Sequence, residues 1–149
     1  QLQWPNDLLI DGRKVAGILC ISRVAGNEAW VACGAGINVS RPGDGKAMRA
    51  IIPSPAFLSD VRAVDREALL DGILRAADAS YERLRTPGLV ARDWEAAAQI
   101  PGTRYRLQID GSDETVEGNA LGLGAAGELI VEHLGNRRAI AQADVRVLR

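Results

Sequence analysis

The chain has 149 residues, 47% of them hydrophobic and 25% charged, and 18 basic against 19 acidic side chains leave a formal net charge of -1. That length suits one domain or one and a fraction, able to bury roughly 68–70% of its unfolded surface without disulfide or metal staples. The composition excludes disorder, gives no electrostatic reason to expect nucleic acid or an anionic membrane surface, and contains neither a membrane-length apolar run nor an export-type opening.

The chain opens Gln1-Leu2-Gln3-Trp4 rather than on Met, and its one methionine is Met48. A start inside strand-like sequence reads as a processed chain or a fragment. Gln3-Trp4-Pro5-Asn6-Asp7 brackets a strand end with Trp and Pro. Asn6 and Asp7 put an amide and a carboxylate where the chain turns, which fits turn capping and ligand contact alike. Leu8-Leu9-Ile10 followed by Asp11-Gly12 is a hairpin signal. Apolar runs over 15–21 and 29–39 flank Ala25-Gly26-Asn27, and their near-continuity predicts strands covered on both faces. Cys20 and Cys33 lie in these runs and read as reduced core thiols of a cytoplasmic protein, with a cross-strand disulfide the lesser reading. Gly34 and Gly36 alternate along the second run with Asn38 on the same face. Glycines so placed mark either a bulge or the close approach of a ligand or another backbone.

From residue 40 the character changes. Ser40-Arg41-Pro42-Gly43-Asp44-Gly45, Pro53 and Pro55 predict a long loop, of a length that is often functional. Leu70, Ile73, Leu74, Ala77, Tyr81 and Leu84 then fall at helical spacing, with Asp65 as N-cap and Thr86-Pro87-Gly88 as stop. A second helix is predicted over 91–98, with Trp94 facing inward. Pro101-Gly102 marks a boundary, beyond which short alternating runs predict a barrel of about five strands over 101–149. Gly122-Leu123-Gly124-Ala125-Ala126-Gly127 has the letters of a dinucleotide-binding loop, but strand-like residues follow where a helix is required, so it reads as a hairpin turn. His133, the only histidine, reads as a hairpin edge residue.

Three blocks in order carry a resemblance to a known family. They are Gln3-Trp4-Pro5-Asn6-Asp7-Leu8, Arg13-Lys14-Val15-Ala16-Gly17-Ile18-Leu19 and Gly34-Ala35-Gly36-Ile37-Asn38, with the tail Asp144-Val145-Arg146-Val147-Leu148-Arg149. They resemble the K-W-P-N-D, R-K-x-x-G-I-L, G-x-G-x-N and D-V-x-x-[LV]-R patterns of the biotin–protein ligases, over essentially the whole chain. The resemblance implies an α+β fold: a partial mixed or antiparallel sheet with helices on one face over 1–100, the C-terminal part of a catalytic domain, then a small SH3-like β-barrel over 101–149. It implies an ATP- and Mg²⁺-dependent conversion of biotin to biotinyl-5′-adenylate, then transfer to a lysine of a biotin carboxyl carrier domain. Gln3, Gly34 and Gly36 would meet biotin, while Asn6, Asp7, Gly17, Asn38 and Arg149 would serve the nucleotide. The loop 41–56 would order over the adenine. No metal-ligating residue is assigned.

Two departures from the family pattern are expected to matter. Gln3 stands where the family has a catalytic lysine, so it can donate a hydrogen bond but cannot neutralise charge. The family's Gly/Arg-rich ligand loop precedes the first block and has no match here, which predicts an incomplete pocket and doubtful activity for the chain alone. The alternatives are a non-enzymatic carrier-binding module, a self-associating (homodimeric) module, or a catalytically impaired homologue.

Overall fold

The computed structural model describes residues 1–43, 54–86 and 88–148. Its elements run β1 (Leu2–Gln3), β2 (Asp7–Ile10), β3 (Arg13–Ala25), β4 (Glu28–Ile37), α1 (Arg66–Tyr81), α2 (Leu89–Ala98), β5 (Arg104–Ile109), β6 (Thr115–Leu123), β7 (Leu129–His133), β8 (Asn136–Ile140) and β9 (Ala143–Val147). This is an α+β fold with antiparallel strand pairing in both of its main sheets. The residues group into two compact units, one of Gln1 and Asn6–Arg75, the other of Leu2–Pro5 and Ala76–Arg149.

In the first unit β2, β3 and β4 form an antiparallel meander. Asp11 and Gly12 both have positive φ, the requirement of a two-residue hairpin turn whose twist matches its strands. Gly26 occupies the first position of the β3–β4 turn with φ 62°, and Ala25 faces Glu28 across it. A small core of Val15, Ala16 and Ala56 gathers Leu8, Ile10, Ile37 and Leu58 at the base of the hairpin.

The upper part of that hairpin departs from expectation. Leu19, Ile21, Val24, Trp30 and Val31 are exposed, so the strands are not covered on both faces. The reason is width: β2 pairs with β3 only as far as Gly17, and beyond it the hairpin is two strands wide with no layer over it among the described residues. Cys20 and Cys33 are therefore exposed free thiols rather than core residues. They face each other in register with their sulfurs 2.9 Å apart, and the Cys33 thiol pushes the Cys20 pKa above its ordinary value.

Asp65 caps α1 as predicted, its Oδ1 accepting the Ala68 N–H at 2.8 Å. The apolar stripe expected to face a core is open instead: Leu70, Leu74, Tyr81 and Leu84 are exposed. A helical period shows that a face could be buried, whereas the burial itself needs a partner surface.

The second unit has that partner surface. Its five strands are ordered β8-β7-β6-β5-β9, a small SH3-like barrel. Tyr105, Leu107, Val116, Leu129 and Val131 are fully buried inside it. Trp4 joins this core and donates its indole N–H to the Gly127 carbonyl at 3.0 Å. Trp94 packs inward from α2, as its spacing predicted. The segment Gly122 to Gly127 is the β6–β7 turn, with Gly127 at φ 85° and its N–H on the Gly124 carbonyl. His133 ends β7 with Nδ1 2.7 Å from the Glu117 carbonyl oxygen.

Candidate functional site

An open pocket of about 780 Å³ lies in the first unit, lined by Asn6, Lys14, Gly17, Leu19, Ala35, Ile37 and Asn38 together with Gly34 and Gly36. Its floor follows from the register. Gly17 faces Gly36 and Leu19 faces Gly34 across β3–β4, so three glycines bare the backbone in one patch. A Cβ at Gly36 would find only the Gly17 carbonyl oxygen at 4.0 Å, and one at Gly34 only the Leu19 carbonyl oxygen at 4.0 Å. The strands thus tolerate side chains there; what the glycines provide is open volume above the sheet.

Asn38 closes β4. Its backbone N–H donates to the Val15 carbonyl at 2.8 Å and its Nδ2 to the Lys14 carbonyl at 3.3 Å. Its own carbonyl accepts the Leu58 N–H at 2.9 Å, which ties the chain returning from the long loop to the pocket rim. Asn6 contributes a carbonyl to the Ile18 N–H at 2.9 Å and keeps its side chain at the pocket. Asp7 Oδ1 is buried, and its partner is the Lys14 ammonium, 2.6 Å away.

A second cluster secures the long loop where it leaves and re-enters. Arg41 donates from Nε and Nη2 to the two carboxylate oxygens of Asp60 at 2.7 and 2.9 Å, and its guanidinium lies 5.1 Å from the Phe57 ring centroid. Arg13 adds its charge at 3.6 Å. The Arg41 guanidinium holds the Asp60 carboxyl below the usual carboxylate range, helped by the Phe57 N–H and Arg13. The segment 44–53 lies outside the described residues, so the expected loop over an adenine is seen only at these two ends.

The structure brings Asn6, Gly17, Gly34, Gly36 and Asn38 to one pocket, with Asp7 beside it. Gln3 falls in the other unit, and Arg149 lies outside the described residues. The residue that motif reading passed over is Lys14. Strict alternation would put it on the sheet face opposite Gly17, and only the register shift between Leu8 and Leu9 corrects that.

The profile of the Biotin/lipoate A/B protein ligase family matches residues 1–38. The biotin–[acetyl-CoA-carboxylase] ligase of Mycobacterium tuberculosis is 32% identical over 151 aligned residues, covering 99% of this chain and 53% of that protein. The bifunctional ligase/repressor BirA of Bacillus spizizenii is 30% identical, covering 98% of this chain and 46% of the relative. Among solved structures, the Aquifex aeolicus biotin protein ligase in complex with biotin and ATP superposes with a TM-score of 0.73 at 19% identity. That match covers 99% of this chain and 61% of that one, and establishes shared fold. The chain spans about half the length of the curated relatives it matches.

Proposed function

We propose, for a chain related along its whole length to the biotin protein ligases, that it carries the ligand floor of an ATP-dependent biotin–protein ligase. The reaction is formation of biotinyl-5′-adenylate and pyrophosphate from biotin and ATP, followed by transfer of the biotinyl group to a lysine of a biotin carboxyl carrier domain in the cytoplasm. The observation that carries the reading is the glycine floor of Gly17, Gly34 and Gly36, with Asn6 and Asn38 at its rim. A bulky bicyclic reactant needs room above the strand backbone, and the rim supplies amide groups to orient a polar one.

In this reading Gly34 and Gly36 accept biotin, Gly17 keeps the neighbouring strand clear, and Asn6, Asp7, Asn38 and Arg149 serve the nucleotide. Gln3 stands at the position of the family lysine and orients a carboxylate by hydrogen bonding without offsetting its charge, which favours slow adenylation. Residues 101–149 form the C-terminal cap domain and 1–100 the ligand-binding part.

Mg²⁺ fits the site in one way. No group of three or more His, Cys, Asp or Glu side chains gathers among the described residues. A magnesium ion carried mainly by the ATP phosphates needs only one or two protein oxygens, and Asn38 Oδ1 is available because Nδ2 makes the contact to Lys14. Bound there, the ion would offset phosphate charge.

The test is calorimetric titration of the 149-residue chain with a sulfamoyl-linked mimic of biotinyl-adenylate. Binding is expected, and Gly36→Val is expected to abolish it while preserving the circular dichroism spectrum, because a Cβ at Gly36 has room in the fold. Absence of binding by the unmodified chain, or unchanged binding by Gly36→Val, would overturn the reading.

A further inference from the structure

Cys20 and Cys33 face each other across β3–β4 next to the pocket, and the hydrogen-bond ladder fixes what kind of pair they are. The Asn38 N–H donates to the Val15 carbonyl, one step outside the Ala16–Ile37 pair. That makes Ala16–Ile37 a non-hydrogen-bonded pair, and by alternation Ile18–Ala35, Cys20–Cys33 and Ser22–Val31 are the same. The Ile18 N–H agrees, turning away from β4 to the Asn6 carbonyl. In such pairs the Cα atoms stand about 4.5 Å apart and the side chains approach most closely, within the span a disulfide bridges. The sulfurs are already 2.9 Å apart, and both residues are exposed.

Their surroundings decide the chemistry. The flanking pairs on that face, Ile18–Ala35 and Ser22–Val31, bring no cation to activate a thiol, and the Cys33 thiol holds the Cys20 pKa above its ordinary value. Such a pair is a poor nucleophile toward general electrophiles, but proximity favours ring closure once one sulfur has reacted. Position gives closure a consequence. The pairs Gly17–Gly36 and Leu19–Gly34 form the pocket floor, and β2 backs the first of them only. The second lies where the hairpin is two strands wide, directly beside the cysteines.

We propose that Cys20 and Cys33 are a reversible oxidation site, closed by exchange with a low-molecular-weight disulfide, whose bond staples the outer half of the pocket floor. One cysteine thiolate attacks the external disulfide, forming a mixed disulfide and releasing one small thiolate. The second cysteine thiolate attacks the protein-side sulfur, the Sγ–Sγ bond forms, and the second small thiolate leaves. Two cysteine thiols are oxidised, one external disulfide is reduced to two thiols, and the cysteine protons end on those thiols. A bond made this way is undone by a reducing dithiol, as befits a transient bridge in a reducing compartment.

The experiment incubates the full 149-residue chain with oxidised glutathione and follows it by mass spectrometry. Loss of two hydrogens from the monomer is expected, and trypsin cutting at Arg23 then leaves the two cysteine peptides joined. Amide exchange at Leu19 and Gly34 is expected to slow by roughly 10- to 100-fold on oxidation and to recover with dithiothreitol. Cys33→Ser is expected to retain one glutathione on Cys20 and show no slowing. Two stable mixed disulfides on the unmodified chain, or disulfide-linked dimers, would overturn the proposal. A Cys20–Cys33 bond that leaves exchange at Leu19 and Gly34 unchanged would overturn the staple. The oxidised chain is also expected to bind the sulfamoyl-linked biotinyl-adenylate mimic several-fold more tightly than the reduced one, because less of its floor remains to be ordered. That titration alone rests on the ligase reading: failure of both forms to bind overturns the reading, while the thiol and exchange results decide the oxidation site.

Discussion

The C-terminal sheet and the β3–β4 hairpin are built from the same kind of residue in the same kind of strand. In β5, Tyr105 and Leu107 alternate with exposed neighbours and are buried. In β3, Leu19 and Ile21 occupy the same alternating positions and are 70% and 77% exposed. The C-terminal strands close around one another and also take in Trp4 and Trp94. Two strands alone, joined by a tight turn, offer no second layer, and an isolated hairpin is marginal in water. Alternation decides which way a side chain points; only a facing layer turns that direction into a core.

Three substitutions would break or sharpen that contrast. The largest effect belongs to Leu129→Ala, which empties a fully buried position of the barrel. It is expected to cost about 2–5 kcal/mol, read from the urea midpoint of the barrel's unfolding, and a cost below about 1 kcal/mol would mean a core far looser than its burial indicates. Next is Asp65→Ala, which removes the side-chain acceptor of the Ala68 N–H. A loss of about 1 kcal/mol is expected, seen as fraying in the helical circular dichroism signal, because α1 has little burial to compensate for a lost cap. Smallest is Ile21→Ser on the hairpin, where a change within about 0.5 kcal/mol is expected together with improved solubility. If Ile21→Ser destabilised the chain as much as Leu129→Ala, the hairpin face would have to be covered in solution.

Much of the local structure was written in short-range signals. Asp11-Gly12 and Gly26-Asn27 set their turns because glycine, and aspartate in the first of them, accept the positive φ that the strand twist requires. Asp65 and Trp94 behave as their spacing implied. The candidate site was legible to the extent that its glycines and asparagines recur in blocks: Asn6, Gly17, Gly34, Gly36 and Asn38 meet at one pocket. Lys14 was not legible, because its direction depends on one extra residue in one strand, and neither hydrophobic pattern nor motif registers a bulge. Nor did the sequence reveal that Trp4 belongs with the barrel, since its partner Gly127 is 123 residues away. Cys20 and Cys33 are exposed for the reason that governs the whole hairpin: apolar neighbours in sequence are not a covering layer in space.

The two thiols have a practical consequence of their own. Because a strand's side chains alternate between faces, slipping β3 against β4 by a single residue would send Cys20 and Cys33 to opposite sides of the ribbon. The native alignment leaves both sulfurs on one face, within reach of one short bifunctional thiol reagent, and a one-residue slip does not. The hairpin therefore carries an intrinsic gauge of its own strand alignment, readable by mass spectrometry on the unlabelled, unmutated chain.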